Sequence, residues 1–94
     1  MEVKHSDNGK AGQFFIEVDG KIEARMTYVY SDKKRMVIEH TIVNDSLRGQ
    51  GVARKLFDAM VDYLRDNHFR AIPQCPYAKS VFDKNEKELA DVRA

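Results

Sequence analysis

Between Val43 and Val52 the sequence changes its period. Met36-Val37-Ile38-Glu39-His40-Thr41-Ile42-Val43 reads as an extended run. In an uninterrupted strand, Met36, Ile38, His40 and Ile42 share one face, and Val37, Glu39, Thr41 and Val43 share the other. From Val52 to Asp66 the spacing becomes helical. Val52, Ala53, Leu56, Phe57, Met60, Tyr63 and Leu64 form one apolar stripe, read as core against a sheet, with charged residues opposite. The residues between, Asn44-Asp45-Ser46-Leu47-Arg48-Gly49-Gln50-Gly51, place two glycines at the mouth of the helix. Without Cβ atoms there, a ligand can approach the main chain. The first N–H groups of a helix lack intrahelical partners, and the positive end of the dipole lies behind them. Arg48 adds a full charge. Such a turn suits an anion, best of all a phosphate or pyrophosphate.

The flanks fill in an antiparallel sheet. Met1 to Gly12 is polar and predicts a frayed start with a short strand. Gln13 to Val18 and Lys21 to Tyr30 predict two strands around Asp19-Gly20, a two-residue hairpin turn. Ser31 to Lys34 predicts a second turn, and Arg35 to Val43 a third long strand. Asn67 is the expected helix stop. His68 to Cys75 predicts a short strand, parallel to Arg35–Val43 because a strand, a helix and a strand make a right-handed crossover. Pro73 puts that strand at an end or an edge. Tyr77 to Lys84 predicts a short C-terminal helix, and Glu86 to Val92 a weaker helix or tail. The fold class is α/β of the α+β type: a mostly antiparallel mixed sheet, a glycine-mouthed central helix and a short C-terminal helix.

Composition narrows the function. A chain of 94 residues has room for one domain, here 1–94. Lys plus Arg is 16 and Asp plus Glu is 15, a net charge of +1. That balance argues against a dedicated nucleic-acid or membrane surface. No apolar run approaches a membrane span, and no leader follows the polar Met1-Glu2-Val3-Lys4-His5. His5, His40 and His68 are scattered and Cys75 is alone, so no metal site is expected. A single cysteine forms no internal disulfide and fits a reducing cytoplasm. A monomer or weak homodimer is the expected state.

The dinucleotide fingerprint is missing, because Arg54 stands where its third glycine belongs, and there is no P-loop. Arg48-x-x-Gly51-x-Ala53 instead resembles the [QR]xxGx[GA] signature of the GNAT superfamily of N-acetyltransferases. His40-Thr41-x-Val43, Arg48 to Ala53 and Pro73-x-Cys75-x-Tyr77-Ala78 together resemble its minimal YjdJ-type branch. The resemblance covers nearly the whole chain and implies a minimal GNAT fold. It implies acetyl-coenzyme A as cosubstrate and an amine as acceptor. It implies that Arg48, Gly49, Gln50, Gly51, Val52 and Ala53 hold the pyrophosphate, with Arg54 at the rim. The strands before and after the helix then splay, and the pantetheine arm pairs with Ile42 and Val43.

The thioester would arrive near Cys75, within reach of His40. Acetyl transfer needs an unprotonated amine, a donor for the carbonyl oxygen and an acid for the thiolate. His40 is a candidate base. Cys75 is a candidate acid or nucleophile. Tyr77 is a second candidate acid. Glu39 is a rival base, presented with His40 only if a bulge interrupts the strand. Each has a structural alternative, a packed thiol or a packed ring. A coenzyme A-binding module without turnover, such as a sensor or partner subunit, is the competing reading. A protein that uses Cys75 as a reactive thiol is a third.

Overall fold

Asp19 and Gly20 adopt positive φ of 52° and 80°, as a two-residue hairpin requires. The computed structural model, which describes residues 1–94, builds a five-stranded sheet from that hairpin. β1 (Lys4–Asp7), β2 (Ala11–Val18), β3 (Lys21–Asp32) and β4 (Arg35–Val43) are antiparallel neighbours in chain order. α1 (Val52–Asn67) crosses over, and β5 (Arg70–Pro73) pairs parallel to β4. α2 (Pro76–Lys84) follows. The predicted meander and the parallel crossover are both present. Pro73 ends β5, an edge strand. Residues 86–92 form turns rather than a helix. They still contribute, since Leu89 and Val92 are buried and Ala71 N–H donates to Val92 O at 2.7 Å.

Both helices cover one face of the sheet. Phe14, Ile16, Met26, Tyr28, Met36 and Ile38 point inward and pack with Leu56, Phe57, Met60 and Leu64 of α1. Phe82 of α2 meets Phe57 with ring centroids 5.2 Å apart. The other face carries Gln13, Phe15, Thr27, Val29 and Val37, all half-buried, with no helix across it.

The alternation predicted for β4 breaks in its middle. Tyr28 pairs with Ile38, but Thr27 pairs with His40, so Glu39 is an extra residue, a β-bulge. Ahead of it Met36 and Ile38 face the core. Beyond it the sides exchange: His40 and Ile42 are exposed, while Val43 packs on the core. The single face expected to join Met36, Ile38, His40 and Ile42 does not exist. One inserted residue moves every later side chain to the other side.

β1 is held by a hydrogen-bonded chain that the sequence did not announce. Asp7 Oδ2 accepts from the phenols of Tyr28 and Tyr30, each at 2.5 Å. Tyr28 has spent its proton on Asp7, so His5 Nε2–H is the donor in their 2.5 Å contact. By the same count Tyr63 donates to Tyr30, at 2.8 Å. Burial lowers the His5 pKa from 6.5, with the Asp7 charge opposing. Burial works against the Asp7 carboxylate, but hydrogen bonds from Tyr28, Tyr30 and Gly9 N–H hold it below 3.8. Both folded values lie below the unfolded ones. The stabilisation is therefore present above pH 6.5 for His5 and above 3.8 for Asp7, and is lost as pH falls through each folded value. Tm measured from pH 8 to pH 3 should fall in two steps. His5→Gln keeps an N–H donor and should flatten the upper one. A Tm indifferent to pH between 7 and 5 would contradict this.

Candidate active site

β4 and β5 stay paired only as far as Ile38 and Pro73. Ile38 O then accepts two N–H groups, Gln74 at 3.0 Å and Cys75 at 2.9 Å. Beyond that carbonyl the chain turns into α2, and β4 runs on to Val43 with one edge free. Which main-chain groups face the free edge follows from pairing. Asn44 N–H donates to Glu23 O at 2.8 Å, so Asn44, Ile42 and His40 form the row bonded to β3. Thr41 and Val43 direct their N–H and C=O groups to the open side. Of the two residues expected to pair with a ligand arm, Val43 faces the gap. The Ile42 main chain faces β3, and its side chain is exposed on the outer face.

The gap leads to the helix mouth. Gly51 caps α1 in the left-handed conformation, φ 69° and ψ 22°. No side chain caps the helix and its first turn holds no acid, so its N–H groups are free for an anion. A Cβ at Gly49 or Gly51 would meet nothing within 4 Å, so the surface is open. Gln50 is exposed, Val52 is buried in the core and Ala53 is half-buried. Arg48 lies 3.2 Å from Asp45, and Arg54 lies 2.9 Å from Asp58. Both pairs are well exposed, and such pairs are held weakly. Either guanidinium can turn to a phosphate.

Glu23 ties this loop to the sheet. Ile16 pairs with Ala24 and Glu17 with Ile22, so Glu23 is itself a bulged residue. It accepts from Ser46 Oγ and from Asn44 Nδ2. These hydrogen bonds, Ser46 first, hold its pKa below the usual carboxylate range. A lone glutamate in an alternating strand gives no sign of that role.

The four catalytic candidates separate into two pairs. The bulge puts Glu39 and His40 together on the outer face, where Glu39 shares a groove with Gln13 and Thr27. Cys75 and Tyr77 lie on the helix side. Cys75 is 3% exposed, and its Sγ is 3.2 Å from Thr41 Oγ1 across the gap. It is therefore Thr41, and not His40, that meets the thiol. Tyr77 is half-buried at the N-terminus of α2, edge-on to Phe57. Burial pushes its phenol up, with nearby Arg54 pulling the other way.

A five-stranded sheet that splits between β4 and β5, with an uncapped glycine-mouthed helix beside the split, is the architecture of the minimal GNAT fold. The chain belongs to the GCN5-related N-acetyltransferase family, whose family model matches residues 13–92. Protein NATD1 of Xenopus tropicalis is 31% identical over 86 residues, 90% of this chain and 77% of that one. Protein NATD1 of Homo sapiens is 30% identical over 86 residues, covering 90% and 74%. Among solved structures, a GCN5-like N-acetyltransferase candidate from Staphylococcus aureus aligns with a TM-score of 0.70. It is 32% identical, covering 99% of this chain and 87% of that one. Ribosomal-protein-alanine N-acetyltransferase from Brucella melitensis shares the fold at 16% identity and a TM-score of 0.66. There the match covers 83% of this chain and 62% of that longer one.

Proposed function

We propose that this chain moves an acetyl group from acetyl-coenzyme A to a primary amine. The observation that carries the reading is the parting of β4 from β5 at the Ile38 carbonyl, which opens straight onto the uncapped helix mouth. The N–H groups of Gly49 to Ala53 take the pyrophosphate, with Arg48 and Arg54 beside them. The free main chain of Thr41 and Val43 takes the pantetheine amides, as an added strand would. That path ends at the bulge, beside Glu39 and His40.

Glu39 or His40 removes one proton from the incoming ammonium. The nitrogen then forms a bond to the thioester carbon, and the carbon–sulfur bond breaks. Tyr77 gives its proton to the departing thiolate and regains one from the nitrogen as the amide forms. One proton goes to solvent, and an amide and a free thiol remain. Burial keeps the Tyr77 phenol protonated near neutral pH, the state a general acid needs. The Cys75–Thr41 contact holds the strands where they part.

Amide shifts during a coenzyme A titration test the site. The largest are expected at Gly49, Gln50, Gly51 and Val52, and shifts confined elsewhere would refute it. Gly51→Val forces a β-branched residue to φ near 69° and screens the N–H groups. It should weaken coenzyme A binding tenfold or more. A folded Gly51→Val protein with wild-type affinity would move the phosphates elsewhere. One observation favours a binding module without turnover: no helix covers the outer sheet face, so no element encloses an acceptor there. Coenzyme A binding without acetylation of any amine in a broad panel would establish that alternative.

A further inference from the structure

The N–H groups of Gly49, Gln50 and Gly51, in the turn before α1, have no main-chain partner in the protein. Gly49 and Gly51 take positive φ of 77° and 69°, and glycine loses more freedom on ordering than any other residue. A turn of this kind meets the cost of its own ordering when a ligand arrives, unless it is already held. What holds it lies upstream. Leu47 is buried in the core. Every hydrogen bond that reaches residues 44–50 from the sheet comes from Glu23. Glu23 O accepts Asn44 N–H at 2.8 Å, and its Oε1 accepts the Asn44 side-chain amide at 3.3 Å. Its Oε2 accepts the Ser46 hydroxyl. Ser46 passes the hold on, because its C=O accepts the Gln50 side-chain amide at 3.3 Å. A chain of contacts thus runs from β3 through Glu23 and Ser46 to Gln50, in the middle of the three unpaired N–H groups.

The placement of Glu23 runs against simple electrostatics. A carboxylate near an anion site opposes the anion by its charge. Its value there is geometric. It is the residue bulged out of β3, and a bulge re-aims a side chain. An ionised carboxylate is acceptor-only and can hold a hydroxyl and an amide at once. We infer that Glu23 is a positioning residue for the coenzyme. It holds the turn in its binding shape before the ligand arrives, and so sets the affinity for the pyrophosphate through Ser46 and Gln50. The inference rests on the coenzyme A reading of this turn. The sign of the effect separates tether from charge. Loss of a charge alone would tighten coenzyme A binding, and loss of a tether weakens it.

Coenzyme A affinity is measured by calorimetry, and acetyl-coenzyme A KM by turnover, for the wild type, Glu23→Ala, Glu23→Gln, Ser46→Ala and Glu23→Ala/Ser46→Ala. Glu23→Ala should raise Kd and KM about tenfold through lost preorganisation, with kcat at saturation within about twofold of wild type. Glu23→Gln keeps an oxygen for Asn44 and offers an N–H to Ser46 Oγ, so it should return to within about threefold of wild type. Ser46→Ala cuts the same chain from its other end, so the double variant should bind no more weakly than Glu23→Ala. Amide order parameters of Gly49, Gln50 and Gly51 should fall in free Glu23→Ala and recover when coenzyme A binds. A residue that serves stability alone would lower Tm and leave Kd unchanged well below the melt. That result, tighter binding by Glu23→Ala, or additive losses in the double variant would overturn the inference and leave the site in place. A wild type that binds no coenzyme A would reject the reading of the turn instead. The order parameters then decide the tether separately: lower values in Glu23→Ala support it, and unchanged values reject it.

Discussion

Among the glycines, Gly12→Ala should destabilise the fold most by clash, since a Cβ at the other four would meet nothing within 4 Å. A Cβ at Gly12 would lie 2.4 Å from Tyr28 Oη, 2.6 Å from Tyr28 Cζ and 2.5 Å from Ser6 O. The last is main chain and cannot swing aside. Tyr28 is 1% exposed, and its phenol is fixed by His5 and Asp7. Relief requires moving β1 or breaking that chain of hydrogen bonds. Overpacking of this kind costs about 1–3 kcal/mol, and each kcal/mol is worth about 4–8 °C in a domain of this size. A loss of about 10 °C is expected in a thermal melt. Tyr28→Phe removes only the hydroxyl, so Gly12→Ala/Tyr28→Phe should recover little. A wild-type Tm for Gly12→Ala would mean that β1 does not lie where Ser6 O is placed.

Much of this architecture is legible because it is local. The Asp19-Gly20 turn needs positive φ and is flanked by alternating apolar residues. The Val52–Leu64 stripe has one period and one open end. The parallel placement of β5 follows from handedness once a strand, a helix and a strand are recognised. The misreadings share a different cause. A bulge is one residue inserted against a partner strand, and no period within Arg35–Val43 registers it. By strand period alone Glu39 and His40 oppose each other; the bulge on which their joint presentation was conditional is present, and it puts them on one face. The same slip hid Thr41, whose hydroxyl turns inward to Cys75 only because Glu39 is extra. β1 has no apolar alternation to betray it. It is held by Asp7 and His5 reaching tyrosines on β3 and α1, contacts that exist only after the sheet forms. The turn into α1 was legible because Gly51, which takes positive φ, stands immediately before the first residue of the apolar stripe. The candidate catalytic groups come from two elements and a register shift, so their grouping was not.

That grouping sets the largest expected effect on activity. Glu39→Gln and His40→Ala remove the two candidate bases on the outer face without touching the core. A positioned general base contributes about 10²–10⁴ in rate. If one residue carries the step, its variant should lose at least 10² in kcat, with coenzyme A affinity retained, and the other should lose little. The split identifies the base, since removing a bystander leaves the pH profile unchanged. Tyr77→Phe keeps the ring on Phe57 and deletes only the hydroxyl that would supply the proton. It should also lower kcat, and less for thioesters with a better leaving thiol, because a better leaving group needs its acid less. Cys75→Ala is expected to behave differently. Its thiol is 3% exposed and occupied by Thr41, so turnover should stay within about threefold. Stability should fall by about 1 kcal/mol, the usual cost of a single substitution. A 10²-fold loss in a folded Cys75→Ala protein would put the thiol in the reaction, as acid or as acetyl carrier. An acetylated Cys75 trapped by mass spectrometry would then separate carrier from acid. Wild-type kcat in Glu39→Gln, His40→Ala and the double variant alike would remove the outer face from the chemistry, and the acceptor would have to enter from the helix side.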